Sequence, residues 1–277
     1  MSNTKQRIIS ALVMASLVII SVALGKVATL ILCLLVGILC IDELLINFAA
    51  LTRKVFLYRY IVFFFSLFFI MINIFFEAKF SRGFFTLAAI FLNLFLIYYL
   101  FKIPLENEFM KKSTIKNPGL LSIVGILPLL SFGIHFETEY WRQILTQLLV
   151  VTFSMDTGAW FFGKNFGKRK LWPEVSPKKT VEGFFGGMLT SALLGSICWY
   201  YFFNDYQWHY SVIFAACGAI SQVGDLVQSK IKREFKIKDS SNLIPGHGGI
   251  YDRIDSLIFL SPFFVIVVKY LGRQISL

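Results

Sequence analysis

The chain has 277 residues, of which 57% are apolar and 31 are phenylalanine, and its formal net charge is +11. Its mean hydropathy of +0.70 excludes a soluble globular domain, because a domain of this size could not bury that much apolar surface. The alternating pattern of a membrane β-barrel is missing, so the composition predicts an all-α polytopic membrane protein.

Nine apolar segments are candidates to cross a hydrocarbon core about 30 Å thick. In chain order they lie near residues 8–24, 27–48, 60–76, 84–101, 118–135, 144–163, 181–203, 211–228 and 256–271. We expect a single membrane domain over 1–277, with 1–143 as a mainly helical scaffold and 144–277 as the catalytic half. Two long basic loops, 164–180 and 229–255, lie in that second half.

The distribution of basic residues predicts the orientation, because Lys and Arg collect in cytoplasmic loops. If the N-terminus is cytoplasmic, most of the 27 basic residues lie on the cytoplasmic side. The six on the other side are Lys26, Lys79, Arg82, Arg142, Lys269 and Arg273. These residues are spread over several loops, which argues against binding of nucleic acid. We expect an integral protein of the bacterial inner (cytoplasmic) membrane with its active site facing the cytoplasm.

The loop that follows the sixth span predicts an anion site. Ser176-Pro177 is typical of a helix start, with Ser as N-cap and Pro at the first helical position. The first turn would then hold Lys178, Lys179 and Thr180. Cations beside free backbone N–H groups suit phosphate, although lysines facing anionic lipid headgroups are the alternative. Gly183 and Gly187, four residues apart, indicate close helix packing.

Acidic residues inside apolar segments are costly in lipid and need a partner. Asp156 is expected roughly 10 Å below the interface, facing a polar cavity, a cation or another protein group. The alternative is a hydrogen bond with a hydroxyl such as that of Thr152 or Thr157. Asp42 and Glu43 in the second span are a weaker case, and the sequence leaves their role open.

Three aspartates near the last two spans predict a metal site. Asp225 and Ser229 share one face of the eighth span, and Asp252 and Asp255 share a face in the first turn of the ninth. One acid would be enough to compensate the helix dipole. Three carboxylates at the membrane boundary suit Mg²⁺ bound through oxygen.

The glycine-rich loop between these spans adds groups that suit a phosphate. Gly246, Gly248 and Gly249 would let the backbone approach it closely. His247 is expected to be a ligand or a proton carrier, or else to be hydrogen-bonded locally. Arg253 and the surrounding lysines would hold phosphates on the metal ion.

The segment 229–255, "SKIKREFKIKDSSNLIPGHGGIYDRID", resembles the signature of phosphatidate cytidylyltransferases, also called CDP-diacylglycerol synthases. The matching positions are Ser229, Lys232, Arg233, Lys238, Asp239, Pro245, His247, Gly248, Gly249, Asp252, Arg253 and Asp255. The segments "DTGAWFFGKNFGKRKL" and "SPKKTVEGFFGG" are also similar, so the resemblance covers roughly residues 150–260. Trp160 and Val181 depart from the family pattern, which often has Tyr and Trp there.

The resemblance implies transfer of a cytidylyl group from CTP to phosphatidic acid, dependent on Mg²⁺, within a lipid bilayer. We expect Asp225 and Asp252 to hold the metal, with Asp255 as a third or outer group. The catalytic set then also contains His247 and two cations expected to bind the phosphates of CTP and the lipid, Lys232 and Arg233. The expected substrate-binding residues are Asp156, Ser176, Lys178, Lys179, Thr180, Ser229, Lys238, Asp239, Gly248, Gly249 and Arg253. A second, monovalent cation and a homodimer are left open.

Other functions are distinguishable by chemistry. A CTP-dependent polyprenol-type lipid kinase would share the metal and the basic pocket but would transfer only a phosphate. An ion-coupled transporter would distribute ionisable residues over several spans. A CDP-alcohol phosphotransferase would need the D-x2-D-G-x2-A-R pattern, which the chain lacks.

Overall fold

The computed structural model describes residues 3–75 and 79–274, and these residues are almost entirely helical. The α-helices in chain order are α1 Asn3–Leu24, α2 Lys26–Glu43, α3 Phe56–Ile70, α4 Lys79–Lys102, α5 Phe109–Lys116, α6 Ser122–Ser131, α7 Trp141–Phe166, α8 Val181–Phe203, α9 Trp208–Glu234 and α10 Tyr251–Gln274. Turns of π-helix extend α2 to Phe48 and α3 to Phe75, and a 3₁₀ helix extends α6 to Phe136. The predicted all-α membrane fold is confirmed.

Eight helices in the described ranges are long and apolar enough to cross a membrane. The fifth predicted span, 118–135, is the exception, because it forms only the shorter apolar helix Ser122–Phe136. Residues 118–121 form a turn that contains Pro118 and Gly119, so the helix begins only at Ser122, which hydropathy does not register. The count of nine full-length spans is corrected accordingly. The predicted end of the third span, residue 76, lies outside the described residues.

A hydrogen-bonded contact joins the start of α5 to the end of α9. Glu234, at the end of α9, accepts hydrogen bonds from the backbone N–H groups of Met110 at 2.7 Å and Lys111 at 3.1 Å. The Glu234 carboxylate therefore supplies an acceptor for N–H groups in the first turn of α5, which have none within the helix.

The chain divides into two compact units that are not contiguous in sequence. The first unit consists of Met1–Leu92, Ile103–Ile134 and Ile231–Ile254, and the second of Asn93–Lys102, His135–Lys230 and Asp255–Leu277. Most of the second basic loop groups with the N-terminal helices. The single membrane domain with a scaffold half, 1–143, and a catalytic half, 144–277, stays a prediction.

Glycines allow α7 and α8 to pack closely within the second unit. A Cβ atom placed on Gly187 would lie 2.7 Å from the backbone oxygen of Met155, and one placed on Gly183 would lie 2.7 Å from that of Ala159. Both distances are shorter than a normal van der Waals contact, so a larger residue would separate the helices. The predicted packing role of Gly183 and Gly187 is confirmed.

Substitution of Gly187 by alanine is expected to lower the unfolding temperature in detergent by several degrees, because overpacking costs about 1–3 kcal/mol. Gly83, in α4, is the matched control, since a Cβ atom there would meet nothing within 4 Å. Gly83→Ala is expected to be neutral or stabilising by up to about 1 kcal/mol, because alanine is the better helix former. Equal effects of the two substitutions would contradict the packing argument.

A β-hairpin before α8 corrects the predicted start of that helix. Strand β2, Ser176–Thr180, pairs antiparallel with strand β1, Lys170–Trp172. The N-cap is Thr180, not Ser176, and its hydroxyl oxygen accepts a hydrogen bond of 3.1 Å from the backbone N–H of Gly183. A Ser-Pro pair fits an edge strand as well as a helix start, and the pairing with β1 decides between them.

Candidate active site

The glycine-rich segment after α9 forms a tight turn. The backbone N–H of Ile244 donates to the oxygen of Gly248 at 2.8 Å, and the N–H of Gly248 donates back to Ile244 at 3.2 Å. Gly246 and Gly248 have φ values of 77° and 88°, in the left-handed region. Glycine adopts that region without steric cost, so the turn depends on glycine at these two positions.

Asp252, the second residue of α10, is surrounded by donors. Its Oδ1 atom lies 2.7 Å from Nζ of Lys232. Its Oδ2 atom accepts hydrogen bonds from the backbone N–H of Ser240 at 2.7 Å, the hydroxyl of Ser240 at 3.0 Å and the N–H of Gly249 at 3.0 Å. The exposed fractions of the Asp252 and Lys232 side chains are 4% and 9%. A buried ion pair requires such hydrogen bonds to offset desolvation.

A cavity of about 420 Å³ lies in the first unit beside this turn. Its charged walls are three cations, Arg7, Lys238 and Arg253, and one carboxylate, that of Asp239. The remaining lining residues are Asn242, Ile244, Gly246, His247 and Gly248. The structure thus brings together five of the predicted site residues: Lys238, Asp239, His247, Gly248 and Arg253. The excess of positive charge suits a phosphate-bearing ligand.

Two arginines hold the turn from opposite ends of the sequence. Nε of Arg7 donates to the backbone oxygen of Gly246 at 2.9 Å, and Nη2 of Arg253 donates to that of His247 at 2.7 Å. Each guanidinium has five N–H donors, so each of these bonds uses only one of them. The same side chains can therefore fix the turn and bind an anion in the cavity.

The ring of His247 lies beside two arginines. Partial burial, followed by the charges of Arg253 and Arg7, lowers the pKa of His247 from its ordinary value, and a hydrogen bond with the backbone of Pro245 opposes this shift. The bond with Pro245 is a local one, which was the alternative to a functional role. The role of His247 as a ligand or a proton carrier stays a prediction.

The basic residues at the end of α9 bind protein groups in this structure. Lys232 pairs with Asp252, and Nη1 of Arg233 donates to the backbone oxygen of Ile237 at 3.2 Å. Both were predicted to bind substrate phosphates. That role stays a prediction, and it would require Lys232 to divide its donors between Asp252 and a phosphate.

In the second unit, Asp225 is the centre of a smaller polar group. Its Oδ2 atom lies 2.6 Å from Nζ of Lys179, and the hydroxyl of Ser229 donates to Oδ1 at 3.2 Å. The predicted shared face of Asp225 and Ser229 is confirmed. Nζ of Lys179 is buried and makes no hydrogen bond within the described ranges, so its contact with Asp225 is an ion pair without hydrogen-bond geometry. The neighbouring Lys178 is exposed.

The remaining two predicted acids lie in different surroundings. Asp255 is 9% exposed, and its Oδ1 atom accepts a hydrogen bond of 2.7 Å from the backbone N–H of Ser256. Asp156 is exposed on α7. The hydroxyl of Thr152 donates to the backbone oxygen of Leu148 at 2.9 Å, which uses its single hydrogen. The two alternatives for Asp156, a polar cavity, cation or protein group on the one hand and a hydroxyl partner on the other, stay predictions.

The magnesium site stays a prediction. Among residues 3–75 and 79–274, no group of three or more His, Cys, Asp or Glu side chains is arranged to hold a metal ion. Asp225 and Asp255 belong to the second unit and Asp252 to the first. The chemistry of the donors nevertheless fits, because Mg²⁺ prefers carboxylate oxygens and because the Asp225 and Asp252 carboxylates each already bind a cationic lysine.

Three residues that contact the glycine-rich segment escaped the sequence prediction. Glu43 accepts hydrogen bonds from it, and Arg7 and Asn242 line the cavity. A carboxylate within an apolar helix was a signal for Glu43, but its partner is about 200 positions away in the chain. In the sequence, Arg7 contributes only to the orientation argument as one of the basic residues. Nothing in its local sequence distinguishes it from the others.

These features define a polytopic integral membrane protein with a cation-lined cavity and a buried aspartate–lysine pair that joins the start of α10 to the end of α9. The chain belongs to the cytidylyltransferase family, whose sequence model matches residues 5–271. The family assignment made from the segment 229–255 is thereby confirmed.

Several relatives are named phosphatidate cytidylyltransferase. The protein of Bacillus subtilis is 38% identical over 180 residues, which are 63% of this chain and 65% of that protein. The protein of Staphylococcus epidermidis is 42% identical over 153 residues, which are 53% of this chain and 56% of that protein. The protein of Staphylococcus aureus is 42% identical over 151 residues, with the same coverage. The chain therefore matches less than two thirds of the length of these relatives.

Proposed function

We propose that this protein transfers the cytidylyl group of CTP to phosphatidic acid, forming CDP-diacylglycerol and pyrophosphate in phospholipid biosynthesis. The observation that carries the proposal is the cavity lined by Arg7, Lys238 and Arg253 in a membrane protein of the cytidylyltransferase family. The names of the bacterial relatives support the same reaction. They give no support to a lipid kinase or a transporter.

The reaction needs charge neutralisation more than it needs a base. A phosphate oxygen of phosphatidate attacks the α-phosphorus of CTP, the bond from that phosphorus to the oxygen bridging to the β-phosphorus breaks, and pyrophosphate leaves. The attacking oxygen is already ionised at pH 7, so no proton has to be removed from it. The two substrates are polyanions that repel each other, and cations that bind them lower this barrier.

The cations of each unit are suited to this task. Arg7 and Arg253 each use one donor on the backbone of the turn and present further donors beside Lys238. The ammonium of Lys179, in the second unit, has three donors and is paired with the Asp225 carboxylate at 2.6 Å, so further donors remain for a phosphate. Phosphate oxygens are the natural acceptors for such groups. We assign these four side chains to the phosphates of CTP and phosphatidate.

Magnesium would be held by the carboxylates of Asp225 and Asp252, with Asp255 as a third or outer group. When bound, it supplies positive charge that stabilises the negative charge developing on the transferred phosphate. Lys179 and Lys232 now lie beside two of these carboxylates, so metal binding would place the ion in competition with them. A second, monovalent cation and a homodimer remain predictions.

The proposed orientation places the site in the cytoplasm, where CTP is present. The contact of Arg7 with Gly246 joins the start of α1 to the glycine-rich turn, which supports a common, cytoplasmic side for the N-terminus and the turn. The basic loops 164–180 and 229–255 are expected at the cytoplasmic face by the positive-inside rule. With bacterial relatives, the inner membrane is the proposed location.

The direct test is an assay of the purified full-length protein in detergent with CTP, phosphatidate and Mg²⁺. We expect CDP-diacylglycerol and pyrophosphate in equal amounts, and no product when excess EDTA is present. The mass of the lipid product separates the candidates, because a kinase would add a phosphate and not a cytidylyl group. Lack of any nucleotide-dependent lipid product would overturn the proposed function.

A further inference from the structure

The carboxylate of Glu43, at the end of α2, is buried against the glycine-rich segment. Its Oε1 atom accepts hydrogen bonds from the hydroxyl of Ser241 at 2.6 Å and the backbone N–H of Ile250 at 2.8 Å. Its Oε2 atom accepts from the hydroxyl of Ser240 at 2.8 Å and the N–H of Tyr251 at 2.9 Å. Glu43 is 3% exposed. These four bonds match the full acceptor capacity of a carboxylate.

Two of the donors belong to the start of α10. The first N–H groups of a helix lack an acceptor within the helix, and negative charge at this end is also favoured by the helix dipole. The Glu43 carboxylate supplies the acceptor for the N–H groups of Ile250 and Tyr251, and it also supplies the negative charge. Glu43 lies 207 and 208 positions before these residues in the chain. Because Asp252 is the next residue, its orientation depends on how this helix start is held.

Ser240 links Glu43 directly to Asp252. Its hydroxyl oxygen lies 2.8 Å from Oε2 of Glu43 and 3.0 Å from Oδ2 of Asp252, so two carboxylates share one hydroxyl hydrogen. The backbone N–H of Ser240 also donates to Asp252. Asn47, four residues after Glu43, donates from Nδ2 to the backbone oxygen of Ser240 at 2.8 Å. The end of α2 therefore fixes Ser240, and Ser240 fixes Asp252.

Gly249 permits this approach. A Cβ atom at that position would lie 2.5 Å from Oε2 of Glu43 and would overlap the hydroxyl of Ser240. Any larger residue would push the carboxylate away from the segment. The sequence suggested that Gly249 lets backbone approach a phosphate, whereas the structure shows close approach to a buried glutamate.

We propose that Glu43 is a positioning residue for cytidylyl transfer, which holds Ser240 and the start of α10 so that the Asp252 carboxylate keeps its orientation. The proposal rests on the proposed function. Because the four protein donors occupy Glu43, it acts through Asp252 and not by contact with substrate. The adjacent Asp42 differs, since it binds Arg53 at 2.8 Å and the hydroxyl of Tyr58.

The test compares Glu43→Gln with the matched control Asp42→Asn in the full-length protein. For Glu43→Gln we expect kcat to fall by about 10–100-fold and the Mg²⁺ concentration for half-maximal activity to rise about tenfold, as for other residues that orient metal ligands. Without CTP or metal, hydrogen exchange of the Ile250 and Tyr251 amides should accelerate at least about tenfold as their acceptor weakens. Asp42→Asn should change each quantity by less than about twofold, because its partner Arg53 is exposed.

The outcomes separate the two proposals. If the unmodified protein forms no CDP-diacylglycerol, the proposed function fails, while the exchange measurement still judges whether Glu43 holds the helix start. If the unmodified protein is active and Glu43→Gln keeps its kcat and Mg²⁺ dependence, the positioning role is overturned. Should Glu43→Gln fail to fold, Ser241→Ala removes only one of the four bonds. It must shift the Mg²⁺ dependence in the same direction, and an unchanged value would equally overturn the proposal.

Discussion

Replacement of Asp252 by asparagine is expected to reduce the rate of CDP-diacylglycerol formation by at least about a hundredfold at saturating CTP and Mg²⁺. The substitution removes the negative charge that pairs with Lys232 and that we assign to the metal. Asparagine has only one side-chain oxygen, whereas both carboxylate oxygens of Asp252 accept hydrogen bonds, from Lys232 on one side and from Ser240 and Gly249 on the other. Initial rates of the purified variant, measured across a range of Mg²⁺ concentrations, give the result.

Folding has to be separated from chemistry in this experiment. Removal of one partner of a buried ion pair costs about 3–5 kcal/mol, so Asp252→Asn is expected to lower the unfolding temperature as well. Adding Lys232→Met removes the unpaired charge and should restore part of the stability without restoring activity. Near-normal turnover of Asp252→Asn would contradict the assignment of Asp252 to the metal.

A partly exposed ion pair provides the control for Asp252. Nζ of Lys111 lies 2.8 Å from Oε1 of Glu108, and both side chains are partly exposed. Glu108→Gln should leave the rate within about twofold of the unmodified protein, because exposed ion pairs contribute little. A large loss of activity in this variant would show that the assay reports general damage and not the role of Asp252.

Replacement of Lys179 by methionine is expected to lower kcat/KM for CTP by about 10–100-fold. Methionine keeps much of the side-chain volume but removes the ammonium that lies 2.6 Å from Asp225 and that we assign to a substrate phosphate. The loss should be largest in kcat/KM, because the charge helps to bind CTP and to stabilise the transition state. Steady-state kinetics with varied CTP measure it.

Lys170→Met is the matched control for Lys179→Met. Lys170 lies on strand β1 of the same hairpin and is exposed, so its substitution removes an equal charge from the same loop. We expect a change in kcat/KM of less than about twofold, which falls further at higher salt because exposed charges are screened. Equal losses in both variants would mean that Lys179 acts only through the general charge of the loop.

The membrane class, the helical fold and the family could be read from the sequence because each rests on local information. Apolar segments long enough to cross a bilayer are visible in composition alone, and eight of them form helices of the required length. The segment 229–255 is contiguous, so residues such as Asp239, His247 and Arg253 could be recognised together without knowledge of the fold. The structure places these three around one cavity.

Local information failed where two structures compete for the same residues. Ser176-Pro177 fits both a helix start and an edge strand, and the pairing of β2 with β1 moves the N-cap to Thr180. The apolar segment 118–135 satisfies hydropathy, but a turn over residues 118–121 delays the start of its helix to Ser122. In both cases the outcome depends on hydrogen bonds that a pattern of residue types does not specify.

The sequence by itself determined which residue types lie between the end of α9 and the start of α10. They are the acids, the lysines and the glycines of the segment 229–255. Only the tertiary structure decided what holds them. Glu43 and Arg7 reach that segment from about 200 or more positions away. Glu43 accepts a hydrogen bond from the buried N–H of Tyr251 at the start of α10, and Arg7 donates one to the carbonyl of Gly246 in the turn, because both backbone groups need partners. Such partners are chosen by helix packing, which brings distant residues together.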